Sequence, residues 1–136
     1  MSAKKNKKII RNIFEKGMNK KDMSAIEKYI DPQYMNHDMP MPGPGPAGLK
    51  AVMDQFFDAF PDMHIILEEE IGDGDYVATR GYWTGTNKGS FMGMPATGKT
   101  VKASFMDFWK LKDGKCVENW VRMDNAAIIQ QLNGSV

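Results

Sequence analysis

The chain has 136 residues, of which 42% are hydrophobic and 26% are charged, a composition typical of one compact globular domain spanning residues 1–136. A single cysteine, Cys116, excludes an intrachain disulfide. No apolar run approaches the roughly 20 residues of a membrane span, and no signal-peptide segment follows Met1. We therefore expect a cytoplasmic protein with no membrane partner.

The formal net charge of +1 conceals an uneven distribution of charge. Lys4, Lys5, Lys7, Lys8 and Arg11 lie within the first 11 residues, and without them the remaining chain carries −4. A basic run at a terminus is usually the solvated, partly frayed start of a helix, here residues 1–8. The acidic remainder does not resemble a nucleic-acid-binding surface, so we expect no nucleic-acid partner.

The first half of the chain predicts three helices. Apolar residues at helical spacing indicate a first helix from about Lys4 to Met18. Asp22 is a favourable N-cap for a short second helix that ends before Pro32. The stretch from Tyr34 to Asp38 has the character of a short strand. A third amphipathic helix, which stops at Pro61, carries Leu49, Val52, Met53, Phe56 and Phe60.

The segment between the short strand and the third helix contains four prolines within Met39–Pro46. Because proline fits neither a helix interior nor a sheet ladder, this segment is predicted to be an exposed loop. The apolar face of the third helix is wide and aromatic, so Phe56 and Phe60 are candidate ligand contacts.

From Met63 onward the hydrophobic period changes from helical to alternating, which indicates strands. Asp73-Gly74 and Asp113-Gly114 are two-residue hairpin signals. The later strands run from Tyr76 to Thr86, Thr100 to Leu111 and Cys116 to Asp124, and a short C-terminal helix ends near Gly134. This order predicts an α+β fold in which helices pack on one face of a curved antiparallel sheet around a pocket.

The hairpin at Asp113-Gly114 predicts which residues of the last two strands face each other. A two-residue loop pairs Lys112 with Lys115, and regular pairing beyond it places Asp107 opposite Trp120. Asp107, Trp120 and Asp124 then share one face. Acids mixed with indoles suit a lined cavity better than a dry core, so we expect this face to point toward the helices.

The opposite face of the same hairpin is predicted to be apolar. It would carry Met106, Phe108, Val117, Val121 and Met123. A contiguous apolar patch on a sheet surface usually marks a contact between subunits. We therefore expect a homo-oligomer, most simply a dimer through this face.

Arg80 is a second candidate for the cavity. Regular pairing from Asp73-Gly74 places it opposite Leu67, and it could form an ion pair with Asp107 inside the pocket. The alternative is a solvated strand residue on a wet outer face. Trp120 could wall a flat ring system or serve only in packing.

Asp124 and His37 are the candidate acid/base residues. A carboxylate in an apolar cavity has a raised pKa suited to moving a proton from carbon, but Asp124 also stands where an N-cap of the last helix is needed. His37 could shuttle a proton or bind a carbonyl, or be an ordinary surface residue near the loop. Two histidines and one cysteine offer no compact metal-ligand spacing, so we expect no metal.

Several motifs together resemble those of the SnoaL-like polyketide cyclase family, in the nuclear-transport-factor-2-like superfamily. They are Phe60-Pro61-Asp62, the run GTNKGSFMGMPATGK from Gly85 to Lys99, Asp113-Gly114-Lys115, Glu118, Trp120, Asp124 and Gln131-Leu132. The resemblance implies a cone-shaped α+β barrel with an aromatic cavity, no metal and no organic cofactor. It also implies that the carboxylate of Asp124 acts as a general acid/base in an intramolecular ring closure. Asn87 replaces a histidine found in many relatives.

Three functions remain open on these grounds. The first is a cofactor-independent cyclase or isomerase that acts on a small hydrophobic carbonyl compound. The second is hydration in the manner of limonene epoxide hydrolases, for which Asp107, Arg80 and Asp124 match in residue type. The third is a binding module for small ligands that has no catalytic activity.

Overall fold

The computed structural model describes residues 2–134 of the chain and contains four α-helices. Helix α1 covers Ala3–Asn12 and continues as a π-helical segment over Ile13–Asn19. The other helices are α2 (Met23–Tyr29), α3 (Gly45–Ala59) and α4 (Asn125–Asn133). The three predicted N-terminal helices and the C-terminal helix are therefore confirmed.

Helix ends follow the predicted caps. The Asp22 carboxylate accepts a hydrogen bond from the Ser24 N–H, which satisfies one free donor at the start of α2. At the end of α4, Gly134 adopts a left-handed φ of 68° and closes the last turn. Within residues 2–134, no helix combines the length and the apolar character that crossing a membrane requires.

Five strands form one sheet in the order β1-β5-β4-β3-β2. Their bounds are β1 (Ile30–Asn36), β2 (His64–Asp73), β3 (Tyr76–Thr86), β4 (Thr100–Lys112) and β5 (Lys115–Met123). The short strand expected at Tyr34–Asp38 is thus longer and begins earlier, and it pairs with β5 in parallel. Because β1 and β2 are both edges, the α+β sheet is curved but does not close into a complete barrel.

The two hairpin turns differ in how well the sequence predicts them. Lys112 faces Lys115 as expected, and Asp113 and Gly114 have φ values of 51° and 79°, the left-handed pair that such a turn requires. In the earlier hairpin Asp73 faces Tyr76, so the turn is Gly74-Asp75 rather than Asp73-Gly74. The expected pairing along β2 and β3 is therefore shifted.

A β-bulge in β5 overturns the predicted faces of that strand. Leu111 pairs with Cys116 but Lys110 pairs with Glu118, so Val117 is an extra residue. Beyond the bulge every side chain of β5 lies on the face opposite to the one that regular pairing predicts, because side chains alternate between faces with a period of two. Asp107 therefore lies opposite Val121 instead of Trp120. The prediction that Trp120 and Asp124 share the inward face with Asp107 is wrong.

The shifted turn, and not the bulge that lies beyond it between Leu67 and Glu69, changes the neighbours of Arg80. Its partner on β2 is Glu69 rather than Leu67, and its partner on β4 is Met106. Thr79, the residue before it, lies opposite Asp107. Arg80 is exposed on the outer face and contacts Glu68 and Glu69, so the predicted ion pair with Asp107 does not form.

The core lies between the helices and the inward face of the sheet. Phe14, from the π-helical segment, stacks on Phe105 at a centroid distance of 5.8 Å and meets the Trp109 ring edge-on at 5.6 Å. Tyr34 of β1 also stacks on Trp109, at a centroid distance of 6.4 Å. These aromatic contacts fix the helices over the middle of β4, where Asp107 lies.

Candidate active site

Asp107 is the one acidic side chain that the structure places on the buried inner face of β4. It lies between Phe105 and Trp109 in the alternating pattern of that strand, opposite Val121 on one side and Thr79 on the other. Only 7% of its surface is exposed. A carboxyl group this far from water is costly to ionise unless a cation or several donors surround it.

The surroundings of Asp107 supply little such compensation. Its Oδ1 atom has no hydrogen-bond partner in the structure, nor does the nearby Nε1 of Trp109. Burial raises the pKa of Asp107 to about 8; the indole N–H of Trp109, which is near the carboxyl but makes no hydrogen bond by its geometry, opposes part of that rise, and the charge of Asp38 adds to it. The carboxyl is therefore mostly protonated at neutral pH yet close enough to titration to exchange a proton.

Asp107 faces a small cavity, with a volume of about 90 Å³, between the helices and the sheet. Most of the lining is aromatic or thioether surface. The apolar lining residues are Phe14, Met18, Met39, Leu49, Val52, Met53, Phe56, Phe57, Met63, Ile65, Trp83, Phe105, Trp109, Val121 and Met123. A wall of this kind suits a flat hydrophobic ligand, and its methionines can adapt to ligand shape.

Two asparagines form the remaining polar part of the cavity wall. The Asn36 Nδ2 donates to Asn119 Oδ1 at 2.9 Å, and the Tyr34 hydroxyl approaches the same oxygen at 3.3 Å. Asn119 in turn donates to the carbonyl of Phe108. This network holds the polar wall in place because each asparagine is tied to its neighbours by more than one hydrogen bond.

Trp120 and His37, both predicted to belong to the site, lie together on the opposite face of the sheet. The His37 ring stacks on Trp120 at a centroid distance of 5.0 Å, and its Nε2 lies 3.1 Å from Glu118 Oε1. His37 is exposed. The bulge at Val117 explains the position of Trp120, and the sheet separates both residues from Asp107.

Asp124 lies at the end of β5, where it caps α4. Its Oδ1 accepts a hydrogen bond from the Ala127 N–H at 3.1 Å, and the residue is exposed. The set of Asp107, Arg80 and Asp124 therefore does not converge, and the water-orienting arrangement proposed for hydration is not assembled.

The two phenylalanines of the third helix have different environments. Phe56 lines the cavity and meets the Trp83 ring edge-on at 6.0 Å. Phe60 is fully buried, 4.9 Å from Trp83 and 5.2 Å from Phe91, so it supports the cavity wall from behind. Asn36, Asn119 and Trp109 also line the cavity, and no sequence motif marks them as site residues.

The described residues show no group of three or more His, Cys, Asp or Glu side chains arranged to hold a metal ion. Cys116 is fully buried in the core, and burial strongly raises the pKa of its thiol. Its sulfur is therefore a poor nucleophile.

Comparison with known proteins identifies the family. Residues 8–132 match the family described as SnoaL-like polyketide cyclase. The chain belongs to this family. No curated protein sequence matches it. A family match over nearly the whole chain supports a cyclase-type function and a small-molecule ligand, although a shared fold does not by itself fix the reaction or the substrate.

Solved structures support the same assignment. A putative polyketide cyclase from Acidithiobacillus ferrooxidans is 30% identical over 100% of both chains, with a TM-score of 0.84. IdmH, a putative polyketide cyclase from Streptomyces antibioticus, is 29% identical over 93% of this SnoaL-like chain and 96% of its own, with a TM-score of 0.79. TsrD from Streptomyces laurentii, at 20% identity and 97% coverage of both chains, shares the fold with a TM-score of 0.87.

Proposed function

We propose that this SnoaL-like protein is a cofactor-independent cyclase or isomerase that acts on a small hydrophobic carbonyl compound, with Asp107 as its acid/base group. The observation that carries the proposal is a buried carboxyl, one oxygen of which lacks a partner, in an aromatic cavity. The catalytic role moves from Asp124 to Asp107 because only Asp107 combines burial with access to the cavity.

The proposed reaction begins with the ionised minority of Asp107. Its carboxylate removes a proton from carbon next to a ligand carbonyl, and the electrons of the C–H bond pass into an enolate. The enolate carbon then attacks a second carbonyl carbon of the same molecule and forms a C–C bond. Asp107 returns its proton to the resulting alkoxide, so no atom is gained or lost and the carboxylate is regenerated.

The test is deuterium exchange into 2-tetralone, a bicyclic aromatic ketone with acidic C–H bonds, followed by proton NMR in D₂O. We expect Asp107→Asn to lower the enzyme-dependent exchange rate by roughly 10²-fold or more, the scale of general acid/base catalysis. Asp124→Asn is the matched control and should exchange within about twofold of the wild type, because asparagine caps helices as well as aspartate does. Equal exchange by the wild type and Asp107→Asn, or ligand binding without exchange, would refute catalysis by Asp107.

We further propose that the protein forms a homodimer through the outer face of the sheet. Met106 and Phe108 are 65% and 57% exposed, and Ile71 and Trp120 line the same groove. Val121 and Met123, which the sequence predicted for this face, instead lie on the inner side because of the bulge in β5. Arg80 and Glu69 at the edge of the groove give a two-fold contact complementary charges.

A further inference from the structure

The cavity is small for a ligand site of its own. Its volume of about 90 Å³ compares with roughly 300–1,000 Å³ for typical ligand pockets. Benzene fits a cavity of roughly 150 Å³, so even a single ring enters this space only when flexible side chains of the lining move. A larger substrate must therefore extend beyond the cavity.

A second space, which we term the outer groove, adjoins the cavity at the end of β5. Its volume is about 620 Å³, and it lies between the proline-rich loop, α3, the segment around Ser90 and the start of α4. Met39, Phe56, Val121 and Met123 line both spaces. These four residues form the boundary between the two spaces, and the unbranched, flexible side chains of Met39 and Met123 are the part of it that can adapt to a ligand.

The outer groove differs from the cavity in polarity. Gln55, Ser90 and Asn125 present exposed polar side chains to it. Among the described residues that line it, Arg122 is the one cation, and it is bound to Asp38, with Nη1 2.6 Å from Oδ1. Asp58 adds a further negative charge to the wall. This surface favours neutral hydrogen-bonding groups over anionic ones.

We infer that the outer groove is a second subsite, which binds a neutral, hydroxyl-rich part of a ligand whose aromatic carbonyl ring enters the cavity. This inference rests on the proposed function for the cavity and adds the substrate class: an aromatic ketone joined to a polar group such as a sugar. Gln55, Ser90 and Asn125 supply the hydrogen bonds to the polar group, and the shared wall selects a narrow ring.

The test compares three probes by isothermal titration calorimetry: 4-hydroxyacetophenone, its β-glucoside and its β-glucuronide. A few new hydrogen bonds predict that the glucoside binds roughly tenfold or more tightly than the free phenol. The glucuronide has the same size but carries a carboxylate, and we expect it to bind more weakly than the glucoside. Equal affinity for the glucoside and the phenol, tighter binding of the glucuronide, or no binding of the glucoside would overturn the inference.

Two double variants test whether the tighter binding of the glucoside arises in the outer groove. The double variant Gln55→Ala, Asn125→Ala should bind the glucoside about as weakly as the phenol and leave phenol binding unchanged. Gln33→Ala, Gln130→Ala is the matched control, since both glutamines are exposed outside the groove. An equal loss in the control pair, or no loss in the groove pair, would also overturn it. Deuterium exchange into 2-tetralone is measured for the same double variant, and we expect it to proceed at the wild-type rate. This readout tests catalysis by Asp107 separately from binding in the outer groove.

Discussion

The two faces of the central sheet carry similar residues in opposite surroundings. On the inner face Asp107 lies beside Trp109 with 7% of its surface exposed, and within residues 2–134 it forms no salt bridge. On the outer face Glu118 lies beside Trp120, and its carboxylate approaches both His37 and Lys110 in a water-accessible position. The same pairing of an acid with an indole is therefore buried in an apolar wall on one face and open to water and to two basic side chains on the other.

The largest expected difference between the faces is in the pH dependence of stability. Because the pKa of Asp107 is raised to about 8 in the folded state, the folded protein holds its proton while the unfolded chain releases it near pH 4. Stability should therefore fall as pH rises from about 4 to 8, by on the order of 4 kcal/mol at pH 7. We expect urea unfolding of Asp107→Asn to lack this fall, whereas Glu118→Gln keeps it.

The outer face yields a prediction about assembly. Phe108→Glu places a charge in the apolar surface that Phe108 and Met106 form on the outer face of the sheet. We expect the particle mass measured by light scattering to fall from that of a dimer to that of a monomer. The exposed Lys88→Glu, outside this surface, is the control and should leave the mass unchanged. A wild-type protein that is monomeric at high concentration would contradict the proposed interface.

The smallest predicted effect concerns Asp124. Removing its hydrogen bond to the Ala127 N–H should make Asp124→Ala less stable by about 1 kcal/mol, as is usual for a lost N-cap. Asp124→Asn should unfold at the same urea concentration as the wild type. A large loss of 2-tetralone exchange in Asp124→Asn would instead return the catalytic role to this residue.

The sequence predicts the helices, strands and turns better than it predicts the face of the sheet on which each side chain lies. Helical spacing, Asp22, Gly134 and the Asp113-Gly114 turn all act locally, and the structure confirms them. A β-bulge has no such local signal: Val117 is an ordinary strand residue, yet the extra position it creates reverses every later side chain of β5.

The same bulge explains the success and failure of the site predictions. Asp107 was correctly expected to face the helices, because β4 alternates without interruption from Val101 to Leu111. Trp120 was assigned to the wrong face because it follows the bulge, which also brings Asn119 into the cavity wall. Asp124 satisfied both a family motif and an N-cap, and only its exposure separates the two roles.

The central claim is that Asp107 is a protonated carboxyl poised to titrate in an apolar cavity. Carbon-13 labelling of aspartate, with Asp107→Asn used to assign the resonance, allows its carboxyl signal to be followed by NMR from pH 3 to 10. We expect a midpoint at a pKa of about 8 for Asp107. A midpoint near 4, the ordinary value for aspartate, would contradict it.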